Sequence, residues 1–155
     1  MKIRRVAFNN RKKGFEVHTS RGVLWFPYAK LEAAPAAGDS VVRASVDAEI
    51  GREGFTYELR SGTEGTVHIE QVLEYNQDPD HQRDQLLYGL TIEAQRRVAK
   101  SRLSRREIIR RLGTSATQFY RLLDQTNYRK SIDQMLSLLH VLDCDVELIV
   151  RAKSA

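Results

Sequence analysis

The sequence predicts an α+β fold, in which a small, mostly β N-terminal domain precedes a helical domain that a terminal strand closes. Three observations carry this prediction. All three prolines and seven of the nine glycines lie before residue 80, as expected of short strands separated by turns. After residue 84 the apolar residues recur at helical spacing. The chain then ends in the alternating, β-branched segment Val146–Val150, which is typical of a strand.

Residues 1–75 are predicted to form the β domain, with a short helix within Ala29–Ala37. The polar segment 76–83, which contains Pro79, is predicted to be a linker. Residues 84–155 then form the helical domain. The candidate strands of the first domain are Lys2–Phe8, Phe15–Thr19, Val23–Phe26, Val41–Val46, Phe55–Arg60 and Val67–Leu73.

Six aromatic side chains in the first domain admit two interpretations. As a core, they supply much of the apolar surface that a domain of about 75 residues needs. As an exposed platform, they stack on nucleic-acid bases or bind a protein partner. We favour the core. The six residues are Trp25, Phe26, Tyr28, Phe55, Tyr57 and Tyr75.

Composition and motifs argue against several classes of protein. No run free of charge approaches the ~20 residues that cross a bilayer, and the first residues do not form a secretory signal. The single cysteine, Cys144, makes no intrachain disulfide, and the four histidines lack the spacing of zinc ligands. No nucleophile motif or phosphate loop is present. We therefore expect a cytoplasmic protein that is not an enzyme and that holds no metal or cofactor.

The basic residues are concentrated in the second half of the chain. Residues 96–130 contain 11 Lys and Arg, against only Glu107 and Asp124, a net charge of +9. Such a block favours a polyanion as the partner. A solvated helical face is the simpler alternative.

Three predicted helix starts share one pattern. Ser104, Ser115 and Ser131 are each followed three residues later by Glu or Gln. In a capping box of this kind, the serine oxygen accepts a hydrogen bond from the amide three residues on, and the Glu or Gln reaches back. Gly113 stands where a helix C-terminal glycine belongs. Leu103–Asp124 therefore has the spacing of a helix-turn-helix, in which the second helix enters the DNA major groove.

The second helix of this pair, Ser115–Asp124, is the predicted recognition helix. Glutamine pairs with adenine and arginine with guanine, whereas hydroxyls, basic groups and helix N-termini contact phosphate. The candidate base-reading residues are Ala116, Thr117, Gln118 and Arg121. The candidate phosphate contacts are Arg105, Thr114, Ser115, Tyr120, Arg129 and Lys130.

The segment Leu103–Ser115, continuing through Arg121-Leu122, Ser131–Leu136 and Leu142-Asp143, resembles the lambda-repressor-like (XRE) DNA-binding domain. In that family, the residues corresponding to Ser115–Arg121 lie in or beside the groove. The terminal strand is similar to that of HigA-type antitoxins. The resemblance covers under half of the chain, and the N-terminal half resembles no family that we can name. It implies a lambda-repressor-like fold for the helical domain and a homodimeric repressor that binds double-stranded DNA, with autoregulation as one form of that role.

The sequence leaves three alternatives open. The first is an antitoxin, whose N-terminal domain binds a small toxin protein and for which DNA binding is secondary. The second is a single-strand or RNA binder that uses the aromatic residues of the β domain. An enzyme that acts on nucleic acid is the least favoured, although catalytic residues can meet in space without a sequence motif.

Overall fold

The structure is a computed structural model that describes residues 1–153. The chain divides into two compact units, Met1–Gln82 and Arg83–Ala155. We call them the N-terminal unit and the C-terminal unit. No helix within the described residues is long and apolar enough to cross a membrane.

The N-terminal unit contains two three-stranded antiparallel sheets, each a meander in sequence order. A short 3-10 turn, Tyr28–Lys30, follows the first sheet, and a helix follows the second. The elements are β1 (Ile3–Asn9), β2 (Gly14–Thr19), β3 (Gly22–Pro27), β4 (Val41–Val46), β5 (Gly54–Leu59), β6 (Glu64–His68) and α1 (Ile69–Tyr75).

The two sheets have the same register. Ile3 of β1 lies opposite Thr19 of β2, and a bulge follows within two residues. Val41 of β4 lies opposite Leu59 of β5, and a bulge follows at the same place. β2 and β5 also share one residue-by-residue pattern of buried and half-buried side chains. The N-terminal unit is therefore built from a repeated three-stranded motif, which the alternation of residues alone had not indicated.

The chain leaves each sheet in the same way. After β3, the amide of Tyr28 donates to the carbonyl of Lys13, at 2.9 Å. After β6, the amide of Ile69 donates to the carbonyl of Glu53, at 2.7 Å. Beyond this point the two copies of the motif continue differently, because His68 and Gln71 form a capping box that starts α1.

Reciprocal contacts join the two copies. Asn10 of the first copy donates its side-chain amide to the carbonyl of Val41, at 3.0 Å. Arg52 of the second copy donates Nε to the carbonyl of Ile3, at 3.2 Å, and a second nitrogen to the carbonyl of Arg4, at 2.9 Å. Each copy thus satisfies backbone acceptors of the other where the first strand bulges.

An aromatic cluster forms the centre of the N-terminal unit, as predicted by the core interpretation. The ring of Phe15 lies 4.8 Å from that of Phe55, 5.1 Å from that of Tyr28 and 5.6 Å from that of Tyr57, measured between centroids. Each of these four side chains is at most 6% exposed. The polar end of Tyr57 is also satisfied, because its hydroxyl donates to the carbonyl of Ala33. Of the six aromatic residues named from the sequence, Phe26, Tyr28, Phe55 and Tyr57 are buried, Trp25 is half-buried and Tyr75 is exposed.

The C-terminal unit is helical in the part of the chain that the structure describes. A single apolar cluster lies between its helices, with Ile108, Phe119 and Met135 fully buried at the centre. The helices are α2 (Pro79–Lys100), which starts just before the unit, α3 (Arg105–Leu112), α4 (Ala116–Leu123) and α5 (Ile132–Val141).

The predicted fold class is wrong. We expected a mostly β domain followed by an all-α, lambda-repressor-like domain that a terminal strand closes. The structure is α+β, but its helices begin with α1 inside the N-terminal unit, and that order does not match the prediction. Residues 146–150 form no strand. The alternation of this segment is real, but the described part of the C-terminal unit holds no strand against which it pairs, and an unpaired strand leaves its backbone groups unsatisfied.

Two local predictions are also corrected. The strand predicted at Val67–Leu73 ends at His68, because the buried residues that follow recur at the spacing of α1. The helix predicted within Ala29–Ala37 is absent, and only the turn Tyr28–Lys30 is helical there. The segment 76–83, predicted as a linker, contains both the boundary between the two units and the first residues of α2.

Pro79 is the first residue of α2. Proline suits this position because the first amides of a helix have no partner within the helix, so the amide hydrogen that proline lacks is not needed. The preceding residue, Asp78, accepts a hydrogen bond from the amide of His81, at 3.0 Å. This is the bond that a helix-starting aspartate makes. The sequence Asp78-Pro79 is thus a helix start and not a spacer.

Candidate nucleic-acid interface

α3 and α4 form a helix pair joined by three residues. Ser104 begins α3 by accepting a hydrogen bond from the amide of Glu107, and Ser115 begins α4 in the same way with Gln118, both at 3.1 Å. Gly113 ends α3 in the left-handed conformation, with φ 69°, which a residue with a Cβ rarely adopts. Both serine caps and the glycine end were predicted from the sequence. Of the three predicted serine caps, all within the described residues, Ser131 alone also has the reciprocal half of the capping box.

α4 has one buried and one exposed face. Phe119 is fully buried and Leu122 is 3% exposed, so these residues anchor the helix in the core. The opposite face is a stripe of residues that lie one, four, five and eight positions after Ala116, as the period of an α-helix requires. Its members are Ala116, Thr117, Tyr120, Arg121 and Asp124, all exposed.

The structure therefore groups three of the four predicted base-reading residues on one exposed stripe. Gln118 lies at the edge of this stripe and is half-buried. Two of the predicted phosphate contacts, Thr114 and Ser115, lie in the turn before α4. Thr114 is half-buried, and the hydroxyl of Ser115 already serves as the helix cap.

Lys130 does not lie on the surface, although the sequence suggested a phosphate contact there. Its side chain is 4% exposed. Its Nζ donates to the carbonyls of Leu122 and Asp124, both at 2.8 Å. Burial lowers the pKa of this ammonium, against the opposing effect of the Asp124 carboxylate. Because the ammonium is used inside the protein, we remove Lys130 from the candidate phosphate contacts.

The C-terminal end of α4 is held by side chains. Helix ends leave carbonyls without partners in the helix, and four successive carbonyls here each accept from a side chain. Lys130 serves two of them, Gln95 donates to the carbonyl of Leu123 at 2.7 Å, and Asn127 donates to that of Arg121 at 3.2 Å. With the Ser115 cap at its other end, α4 is fixed at both ends.

The loop after α4 is tied down as well. Arg83, near the start of α2, donates one nitrogen to the carbonyl of Tyr128 and another to that of Lys130, both at 3.2 Å. Arg129 lies between these two anchored residues with its side chain exposed. The backbone at Arg129 is therefore fixed, while its guanidinium faces solvent.

The charged side chains of α3 differ in their contacts. Glu107 binds Arg110 and Arg111, and the hydrogen bonds from these two guanidiniums, first Arg110 and then Arg111, lower its pKa to about 2. Arg105, in contrast, lies over the ring of Tyr120, 5.8 Å from its centroid, and so connects the start of α3 to the exposed stripe of α4.

Four further arginine side chains near α3 and α4 make no hydrogen bond or ion pair within residues 1–153. They are exposed: Arg102, Arg106, Arg121 and Arg129. The first two were not singled out from the sequence, where only the overall run of basic residues indicated them. With Arg105, they form a set of five arginines that we call the arginine set. An open cavity of about 570 Å³ near Arg102 is lined by four more cationic side chains and by Glu93 and Asp143.

No group of three or more His, Cys, Asp or Glu residues that could hold a metal ion occurs among the described residues. Cys144 is half-buried, and its sulfur lies 3.5 Å from the carbonyl of Leu142. We found no protein-family model, curated protein or solved structure that matches the chain.

Proposed function

We propose that the C-terminal unit binds double-stranded DNA, that the exposed stripe of α4 reads the bases, and that the protein thereby regulates transcription as a repressor. One observation carries the proposal. A short helix, fixed at both ends, presents Thr117, Tyr120 and Arg121 to solvent, and arginines without a hydrogen bond or ion pair within residues 1–153 precede and follow it in the chain. A rigid helix of this kind suits the major groove because little conformational freedom is lost on binding.

Each exposed group has a role that its chemistry favours. Arg121 donates two parallel hydrogen bonds to the O6 and N7 atoms of guanine. Thr117, one turn earlier, bonds a base edge or contacts a thymine methyl, and Ala116 contacts a thymine methyl. Gln118 at the edge of the stripe pairs with adenine. Tyr120, under the guanidinium of Arg105, contacts the sugar-phosphate backbone with its hydroxyl.

Contacts with phosphate position the helix. Arg102, Arg105 and Arg106 cluster at the start of α3, and Arg129 follows α4. Phosphate contacts supply affinity that does not depend on sequence, and each contributes roughly 0.9 to the slope of log affinity against log salt concentration. Four such contacts are enough for a strongly salt-dependent complex.

We also propose that the protein binds as a homodimer. A single helix of this length touches few base pairs, and operators with two-fold symmetry pair with two-fold proteins. Selection from a random duplex library at ~150 mM salt tests both statements, because salt suppresses the nonspecific phosphate contribution. We expect a palindrome to be recovered. Recovery of no motif would contradict sequence-specific binding and would favour a protein partner, such as a toxin, or single-stranded nucleic acid.

Variants of Arg121 test the reading helix directly. Arg121→Ala should reduce affinity for the selected site by about 1–3 kcal/mol, while binding to unrelated duplexes falls less. Arg110→Ala is the matched control, because that guanidinium belongs to a pair with Glu107 on the neighbouring helix. Equal loss of specificity in both variants would show that α4 is not the element that reads the bases.

The neighbours Arg129 and Lys130 test the phosphate contacts. Arg129→Ala should lower the salt slope by roughly 0.9. Lys130→Ala should leave the slope unchanged at temperatures where the variant is folded, because its ammonium is bound to carbonyls of α4. A reduced slope for Lys130→Ala alone would contradict the placement of these two residues.

A further inference from the structure

The segment that follows α5 exposes a row of apolar side chains. Val146 is 46% exposed, Leu148 81%, Ile149 65% and Val150 87%. Residues 145–153 have no regular secondary structure and make no hydrogen bond within the described part of the chain. β-branched residues of this kind favour an extended backbone, and such a backbone leaves a row of free donors and acceptors.

The order of residues gives this segment two different faces when it is extended. Successive side chains of an extended chain point to opposite sides. One side consists entirely of apolar residues, and the other carries acidic groups first and basic groups last, around one isoleucine. The apolar side is Val146, Leu148, Val150 and Ala152; the charged side is Asp145, Glu147, Ile149, Arg151 and Lys153.

The charged side is complementary to itself in one direction only. If two copies run antiparallel with Ile149 on the two-fold axis, Glu147 of each lies opposite Arg151 of the other. Asp145 then lies opposite Lys153 at both ends. Opposite charges directly across an antiparallel pair are favourable, and like charges are unfavourable. A parallel arrangement in register instead places Glu147 against Glu147 and Arg151 against Arg151.

We propose that residues 145–153 pair antiparallel with the same segment of a second copy of this chain, with Ile149 on the two-fold axis. This inference rests on the homodimer proposed above and specifies its contact. The pairing gives the backbone groups partners that one chain lacks. It also gathers the apolar side chains of both copies on one side of a two-stranded ribbon. The segment is isologous, as a two-fold dimer requires.

Such a ribbon needs its apolar side covered, because two isolated strands are only marginally stable in water. α5 of the same unit leaves Ile132 38% and Leu136 39% exposed, one turn apart on one side of the helix. This is apolar surface of the kind on which the ribbon packs. The charges determine which segment pairs and that the two strands run antiparallel. The apolar side supplies the surface that is buried.

Charge reversal tests the contact with the full-length protein. Glu147→Arg and Arg151→Glu each place like charges opposite one another at two symmetric sites. Each should raise the dimer dissociation constant about tenfold or more, measured by sedimentation equilibrium. A mixture of the two variants restores both opposite-charge pairs, so we expect heterodimers with wild-type affinity. The double variant, carrying both changes in one chain, should dimerise like the wild type.

The outcomes separate this inference from the proposals on which it rests. If the wild type is a monomer at concentrations of tens of micromolar, both the homodimer and the paired segment are wrong. If it is a dimer that neither reversal weakens, the dimer stands and the paired segment is wrong. If both reversals weaken it but the mixture does not recover, the antiparallel register is wrong. None of these results bears on base reading by α4, which the Arg121 variants test separately.

Discussion

The two units of this molecule use their charged and polar side chains differently. Residues 1–82 carry 11 Lys and Arg against 12 Asp and Glu, whereas residues 83–155 carry 14 against eight. In the N-terminal unit, Asn10, Arg52 and Tyr57 each donate to a backbone carbonyl elsewhere in the unit. In the C-terminal unit, the arginine set has no hydrogen-bonded partner within residues 1–153.

This difference shows where a ligand is to be sought. Polar groups that satisfy buried or bulged backbone stabilise the fold, and they are not available to a partner. Exposed cations that the protein leaves unpaired cost little in water and gain most when they meet an anion. The C-terminal unit also contains both kinds side by side, since Lys130 is internal and Arg129 is external. The predictions below test whether this division of roles is real.

The largest expected effect comes from the two cores. Phe15→Ala and Phe119→Ala each empty the centre of one apolar cluster and should each cost about 3–5 kcal/mol. Trp25 is the single tryptophan and lies in β3, so its fluorescence reports the N-terminal unit. Helical circular dichroism reports mainly α2–α5. In urea, Phe15→Ala should shift mainly the fluorescence midpoint, and Phe119→Ala mainly the dichroism midpoint.

A common shift of both signals in either variant would contradict this expectation, because it would mean that the two clusters unfold as one cooperative unit. The DNA-binding test sharpens the comparison further. At low temperature, where both variants remain folded, Phe119→Ala should weaken DNA binding because it removes the side chain that anchors α4 in the apolar core. Phe15→Ala should not.

The second prediction concerns the neighbours at the end of α4. Lys130→Ala leaves two carbonyls without donors and should cost about 1–3 kcal/mol. Arg129→Ala removes an exposed side chain and should change stability by less than about 0.5 kcal/mol. Thermal unfolding of both variants, followed by circular dichroism, measures the contrast. Equal losses would show that the buried ammonium does not hold α4.

Sequence reasoning located most strands because β alternation and turn glycines are local signals. β1 through β5 were each predicted to within two residues of their ends. α1 was missed because its start depends on a histidine cap, His68, which is an unusual residue in that role. The terminal segment forms no strand within one chain because its alternation is local, whereas a strand exists only when a second strand pairs with it, and the described residues of the C-terminal unit offer none.

In the candidate site too, features set by local spacing could be predicted from the sequence, and features set by the fold could not. The serine caps and the stripe of α4 follow from spacing along the chain, so the start of α4 at Ser115 and the common face of Thr117 and Arg121 could be predicted. Their contacts with DNA stay a prediction. Whether a lysine such as Lys130 lies inside or outside depends on residues six and eight positions away in the chain, whose carbonyls it meets only after folding. The repeated three-stranded motif of the N-terminal unit was not predicted from the sequence. Its evidence is the matching register and the reciprocal contacts.

The third prediction tests the joint between the two copies of that motif. Arg52→Ala removes a donor from backbone carbonyls of the other copy and should cost about 1 kcal/mol. Asn10→Ala removes the donor to Val41 and also the acceptor of the buried Tyr28 hydroxyl, and should cost more, about 1–3 kcal/mol. Arg5→Ala is the control, because its guanidinium hydrogen-bonds to His18 on the neighbouring strand of the same sheet. Urea midpoints from Trp25 fluorescence measure all three. A loss in the control equal to those of Asn10→Ala and Arg52→Ala would show that the joint contributes nothing particular.

The smallest expected effect on stability concerns Glu107, whose pKa in the fold is about 2 against an ordinary value of 4.5. Because the folded pKa is the lower one, the contribution of this carboxylate is present above about pH 4.5 and is lost as pH falls toward 2. Glu107→Gln should therefore be slightly less stable than the wild type at pH 7, and the difference should shrink over that interval. Urea midpoints at pH 7, 4 and 2.5 measure it.

The same substitution acts in the opposite direction on binding. Glu107→Gln removes the carboxylate that holds Arg110 and Arg111, and thereby leaves two more arginines unpaired beside the arginine set. If α3 lies along the phosphate backbone, affinity for any duplex should rise and its salt slope should steepen, although the protein is less stable. Filter binding across a range of salt concentrations measures both quantities. An unchanged slope would place Arg110 and Arg111 away from the DNA, and the contacting cations would then be those at the start of α3 and after α4.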